Sequence, residues 1–280
     1  MRHPTPIAVI PTCPAELDTW SRALADVEIP ILSHTVARIE QAAIQVDDLD
    51  LTVLSDVVGS DPLLTVRLLR EAAAWPRGPY ARAPRSASEA LMLMGLRPFF
   101  SAYRNLPTVQ QRLIDHPDAL EGLTRVVVRD YRAARLAHGF ATHLDDPDAA
   151  LLHEVALIND FAEMLLWIHA PDLMQRVRAV KHSRPGLRSH DAQREVLGVD
   201  LHALGHRLME DWKFPGALLR LEAPCPVCPP QARMVELAVR LARHTRSDWT
   251  HPDIAAETKE ASELLHLSLG ATRNLLKRLV

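Results

Sequence analysis

Asn159, Asp160 and Glu163 are the residues of this chain that come nearest to a reactive centre. Carboxylates and imidazoles converging on a divalent metal can activate water against a phosphate ester. Here an amide, Asn159, stands beside Asp160, and a neutral amide oxygen is a poor ligand for a transition metal. His153 and Glu154, six residues upstream, supply a second imidazole–carboxylate pair. His202, His206 and Glu210 recur at spacings of four, which places them on one helix face. Zinc proteases use histidines at that spacing with a glutamate beside the first, and Ala203 holds that position here. Among 14 histidines such a spacing is a cheap coincidence, and a solvated face accounts for it. Cys225-Pro226-Val227-Cys228 is a lone CxxC. Structural zinc needs four ligands, with only Cys13 and His244 as further candidates, and a thioredoxin-like role needs a βαβ setting. The pair reads as incidental. Arg77, Arg82 and Arg85 crowd a loop rich in proline and glycine. Guanidinium forks suit bidentate phosphate contacts, so this loop is the candidate for a phosphate-bearing ligand such as a cyclic dinucleotide.

The element that must position Asn159, Asp160 and Glu163 is the stretch from Leu151 to Asp172, LLHEVALINDFAEMLLWIHAPD. At 100° per residue its apolar side chains cover nearly the whole circumference, so it is read as one helix at the centre of the protein. The three polar residues fall in one narrow sector, and buried polar groups need partners. That sector is either an internal hydrogen-bond network or a site.

The rest of the chain reads as helices punctuated by proline and glycine. A proline-broken arm precedes a helix near Ala15–Ala25, and Pro30 ends that stretch. Ser33 is a plausible N-cap for the next helix, and Gly59 can close a short one over Leu51–Val58. Asp61-Pro62 starts another, with the proline in the first turn, where its missing N–H costs nothing. Ser86-Ala87-Ser88-Glu89 has the spacing of a capping box. Pro117 leads into a long helix to about Phe140, and Pro171 opens a helix to His182. Residues 223–230 form a linker too rich in proline to be helical, followed by helices over 231–244, 253–266 and 269–279. No alternating strand pattern or tandem repeat appears. The class is all-α.

Four segments carry a family resemblance. Ala156-Leu157-Ile158-Asn159-Asp160-Phe161-Ala162-Glu163-Met164-Leu165-Leu166 resembles the central helix of the HDOD domain, a degenerate relative of the HD metal-dependent phosphohydrolases. Asn159-Asp160 falls where that superfamily has His-Asp. Asp61-Pro62 with its leucine-rich helix and SASEALMLMGLRPFF are similar to two further family segments. Leu197-Gly198-Val199-Asp200, Leu204-Gly205 and Trp212-Lys213-Phe214-Pro215 resemble the last. The resemblance covers roughly residues 29–222 and implies an HD/HDOD-like helical bundle. An arm over 1–28 would precede it, and a linker with C-terminal helices over 223–280 would pack on it. It also implies a bacterial signal-transduction or regulatory module without catalysis of its own, needing no metal or cofactor. Such a module would work through a protein partner or a cyclic-nucleotide signalling component. The preceding helix has no histidine between Leu123 and Ala137, where active relatives keep one.

Two rival readings stay open. A divergent phosphohydrolase would combine Asp160 with ligands such as His153 or Glu154. A DNA-binding regulator would use residues 261–279 as a helix-turn-helix, with Arg273, Asn274, Lys277 and Arg278 on its second helix. His266 stands in that turn where glycine is common. The formal charge of −3, with arginines and acids interspersed, disfavours nucleic acid and anionic membranes. No apolar run approaches the roughly 20 residues of a membrane span. Pro4, Pro6, Pro11 and Pro14 interrupt any signal-peptide core, and the odd count of 3 cysteines argues against a disulfide framework. The expected location is the cytoplasm.

Overall fold

The computed structural model describes residues 16–44, 50–75, 84–222, 229–245 and 249–280. Among these residues every regular element is a helix, and the β-like pairing is a single parallel bridge between Ile31 and Thr108. No helix of the described residues is long and apolar enough to cross a membrane. The chain divides into two compact units, residues 1–126 with 160–215, and residues 127–159 with 216–280.

The first unit is built around the helix Phe161–His169, in which every residue except Glu163 is buried. It packs on Pro62–Ala73, Pro171–Ser183 and Leu201–Asp211. Helix Pro62–Ala73 begins as the sequence predicts. Pro62 occupies the first turn, and the Asp61 side chain accepts from the amides of Leu63 at 2.9 Å and Leu64 at 3.1 Å. Ser86 caps Ala87–Met94 by accepting from Glu89 N at 3.1 Å. The reciprocal bond of a capping box goes one residue early: the Glu89 carboxylate accepts from Arg85 N at 2.5 Å. Phe161, Trp212 and Phe214 gather with ring centroids 5.8–6.3 Å apart, offset as aromatic quadrupoles prefer.

The first unit also holds an extended segment, Val27–Leu32, with no sheet to take its backbone bonds. Side chains and one loop take them instead. Arg70 Nη1 donates to Val27 O at 2.8 Å, His169 Nε2 to Glu28 O at 3.0 Å and Arg67 Nη1 to Ile29 O at 3.0 Å. Ile31 N donates to Pro107 O, and Val109 N to Ile31 O. Leu32 N donates to Asp61 Oδ2 at 2.9 Å, so one buried carboxylate serves both the segment and a helix start.

In the second unit, helix Pro230–His244 packs on Ala149–Leu157, Gly216–Glu222 and Ile254–Leu264, and the last of these packs on Leu269–Leu279. The turn between the final two helices closes with Leu267 N donating to Ser262 O at 3.0 Å and His266 N to Glu263 O at 3.4 Å. His266 has φ of 54°, the left-handed conformation for which glycine is the usual residue. This is the position where the sequence departs from the common turn. At Gly139 a Cβ would come within 2.5 Å of the Leu279 side chain, so the missing side chain lets the last helix lie close to Pro117–His143.

One expectation is corrected. The stretch from Leu151 is two helices, Ala149–Leu157 and Phe161–His169, with a break at 158–160. Apolar residues on both sides of the break are buried, so the pattern that suggested one buried helix holds on each half.

Gly122 marks the tightest helix approach in the first unit. A Cβ there would lie 2.5–2.6 Å from three ring carbons of Trp167, which is 4% exposed. Alanine gains about 1 kcal/mol of helix propensity over glycine. Overpacking a filled site costs about 1–3 kcal/mol, and more where an indole must move. Gly122→Ala is expected to destabilise the protein by about 1–2 kcal/mol, read as a lower urea midpoint at unchanged slope. A midpoint equal to or above the parent's would show that Trp167 yields freely.

Candidate functional site

The break that carries Asn159 and Asp160 has a local cause. Asn and Asp compete for backbone hydrogen bonds and favour helix ends over helix interiors. Ile158 at φ −100°, ψ 8° and Asp160 at φ −108°, ψ 25° fall in the bridge region, where the helical ladder stops. Ile158 N still reaches Glu154 O, and the ladder restarts with Met164 N to Asp160 O, both at 3.2 Å. Asp160 occupies the N-cap position of the second helix, yet its side chain makes no cap bond. Asn159, Asp160 and Glu163 are all half-buried. Glu163 lies in the first turn, where the helix dipole favours a carboxylate.

An HD-type metal centre would need further donors converging on Asp160. His153 is half-buried and meets His138 edge-to-face at 5.9 Å, and His138 Nδ1 lies 3.3 Å from Ala149 O. His138 is one residue past the stretch Leu123–Ala137, so a search for a histidine there misses it by one position. Among the described residues, one group of three histidine, cysteine or acidic side chains has donor atoms gathered within 4.8 Å. It is His244, His251 and Asp253, and includes none of the residues at the break.

The other candidates fall as follows. His202 is exposed, and His206 Nδ1 sits 3.8 Å from Glu210 Oε1 on the surface of Leu201–Asp211, an ordinary i, i+4 pair. Arg85 is 76% exposed and pairs with Glu89 at 3.6 Å. Arg77, Arg82, Cys13, Cys225 and Cys228 lie outside the described residues. Arg273, Asn274, Lys277 and Arg278 are exposed on Leu269–Leu279, while Thr272 and Leu276 face inward.

A family model described as the HDOD domain matches residues 29–223, which include all of the segments quoted above. The chain belongs to the HDOD family. Its fold is similar to that of the MmoQ response regulator of Methylococcus capsulatus, at 23% identity and a TM-score of 0.65. That match covers 89% of this chain and 98% of the other. It is similar also to a virulence factor of Campylobacter jejuni, at 17% identity and a TM-score of 0.63, covering 94% of this chain and 92% of the other. Comparison with curated proteins gives no match.

Sequence reading missed the polar network of this HDOD domain. Arg67 pairs with Glu71 at 3.0 Å, Glu71 accepts from the Tyr103 hydroxyl, and Arg67 lies over the Tyr103 ring at 5.9 Å. Burial, with the Glu71 carboxylate beside it, pushes the Tyr103 hydroxyl far above its ordinary pKa. Arg70 stacks over Trp212 at 5.2 Å, and Arg112 pairs with Glu28. Burial pushes the Asp61 carboxyl up, against the pull of the amides that donate to it. The Arg67–Glu71 spacing and the Asp61 cap are the visible signals; Tyr103 meets Glu71 across 32 residues, and His169 meets Glu28 across 141.

His169 makes this network sensitive to acid. Burial, then the nearby Arg112 and Arg70, lower its pKa from 6.5 to about 4. Its Nε2 donates to Glu28 O, so the folded state holds the neutral ring, while Nδ1 is buried without a hydrogen-bond partner. A depressed histidine stabilises the fold above its unfolded pKa, and that stability is lost as pH falls through the window between the two values. The shift corresponds to about 3 kcal/mol. Between about pH 7 and about pH 4.5 the parent's urea midpoint should fall more steeply than that of His169→Gln. Parallel curves would show that His169 is not the titrating group.

Proposed function

We propose that this HDOD protein is a regulatory module without hydrolytic chemistry of its own, relaying a signal through a protein partner. The observation that carries this reading is Asn159 beside Asp160 in a helix break, where the superfamily's chemistry calls for an imidazole. An amide oxygen there weakens metal binding, and without a bound metal no hydroxide is generated near neutral pH. The likeness in fold to a protein named as a response regulator supports a signalling setting. Exposed apolar side chains support a protein partner: Met92 and Leu93 are 59% and 61% exposed on Ala87–Met94. Val53, on the helix packed against it, is 45% exposed. Apolar surface kept in water is a cost that a partner's surface would remove. The overall charge of −3 makes DNA the weaker choice of partner.

The experiment is a turnover assay of the full chain on a model phosphodiester, cyclic dinucleotides and nucleotides, with manganese, iron or nickel added. The parent and Asp160→Ala are expected to be indistinguishable from buffer. Metal-dependent turnover that disappears in Asp160→Ala would overturn the reading and restore a divergent phosphohydrolase.

A further inference from the structure

Outside the segment matched by the HDOD model, the second unit gathers four side chains of metal-binding type. His244 ends the helix Pro230–His244, His251 and Asp253 lie in the following loop, and Glu257 is in the first turn of Ile254–Leu264. The two imidazole rings are parallel, 4.1 Å between centroids and 5° between planes. His244 Nε2 and His251 Nδ1 lie 3.9 and 3.7 Å from the same oxygen, Asp253 Oδ2.

We propose that His244, His251 and Asp253 bind a divalent transition metal, zinc above all, with Glu257 as the positioning residue behind His244. The ligand set decides the class. Two imidazoles and one carboxylate suit zinc and its neighbours, whereas magnesium and calcium favour all-oxygen shells. Metal–ligand bonds of about 2.0–2.1 Å place tetrahedral donors about 3.3 Å apart. The two nitrogens lie about 0.4–0.6 Å beyond that spacing from Asp253 Oδ2. His251 Nδ1 also accepts from Asp253 N at 3.3 Å, so the exposed His251 ring must turn out of its parallel stack on His244 for both lone pairs to meet one ion.

A second observation points the same way. Glu257 is 4% exposed, and its Oε1 is 2.8 Å from His244 Nδ1. A carboxylate only accepts, so Nδ1 is the donor in that contact and Nε2 is the nitrogen that faces Asp253. Histidine ligands usually hold such a carboxylate behind them, which fixes the tautomer and raises the basicity of the ligating nitrogen. The other oxygen, Glu257 Oε2, is buried without a hydrogen-bond partner. Asp253 and Glu257 are two carboxylates in one small cluster, a pair that one divalent cation balances. Burying a carboxylate with an unpaired oxygen is costly, and a cation one imidazole away offsets that cost. His251 and Asp253 are exposed, so a fourth position opens to water.

The test uses the full chain stripped with a chelator and titrated with zinc against a colorimetric indicator, with magnesium as the control. Cobalt(II) supplies a visible spectrum that reports tetrahedral coordination. One equivalent of zinc is expected, unaffected by Cys225→Ser with Cys228→Ser and by Asp160→Ala. His251→Ala and Asp253→Asn, both at exposed positions, should abolish it. Glu257→Gln should weaken it about 10- to 100-fold, the usual effect of removing a carboxylate behind a ligand. Circular dichroism of each stripped variant separates lost binding from lost folding. Zinc affinity unchanged in His251→Ala and Asp253→Asn, or less than about a tenth of an equivalent bound by the parent, would overturn the proposal.

Discussion

The first unit depends on satisfying the backbone of Val27–Leu32 without a sheet. Ile29 and Ile31 are fully buried, so their amides and carbonyls are cut off from water. A buried polar backbone group left unpaired costs about as much as a lost hydrogen bond, and here several would be orphaned together. The remedy comes from two helices and one loop. Arg67, Arg70 and Asp61 come from the Pro62–Ala73 helix and its cap, His169 from the end of Phe161–His169, and the Pro107–Val109 loop supplies a parallel bridge. Each of these side chains is fixed by a further contact: Arg67 by Glu71, Arg70 by Trp212, His169 by its buried position. The aliphatic packing around them could tolerate rearrangement more readily than this set of bonds, because packing is non-directional and hydrogen bonds are not.

That constraint explains which conserved-looking features of a helical sequence are structural. Asp61 and Asp160 are both aspartates at helix starts, and the structure treats them differently. Asp61 is fully buried and accepts from three amides on two segments. Asp160 is half-buried and leaves its helix uncapped. Removing Asp61 would strand donors in the core, where each costs about 1–3 kcal/mol. At Asp160 no cap bond would be lost. The fold therefore leans on the Asp-Pro start, where one carboxylate holds three amides at once.

Much of the fold was legible because its signals are local. Helix starts at Asp61-Pro62, Ser86, Pro117 and Pro171, and the final helices near 231, 254 and 269, lie within a residue or so of where caps, prolines and periodicity put them. The helix break at 158–160 was missed because apolar periodicity reports burial, and both halves are buried. Asn-Asp is a weak breaker that the surrounding leucines outvoted. The polar network was illegible for another reason. Nothing in the spacing of His169 or Arg112 says that each serves Glu28, one through its carbonyl and the other through its carboxylate. Long-range partners are set by tertiary packing, and a single sequence carries no record of it.

The same limit hid the histidine cluster. His244 was visible only as a spare ligand for a CxxC, since the eye pairs zinc candidates by familiar spacing. His251, Asp253 and Glu257 follow it at intervals that match no single helix, because one helix ends at His244 and the next begins at Ile254. What brings them together is the packing of Pro230–His244 on Ile254–Leu264, which returns the chain to its own helix end. Chemistry placed there is independent of the helix break at 158–160. The family domain and the two-histidine, one-carboxylate set thus occupy separate stretches of the chain, with neither demanding the other.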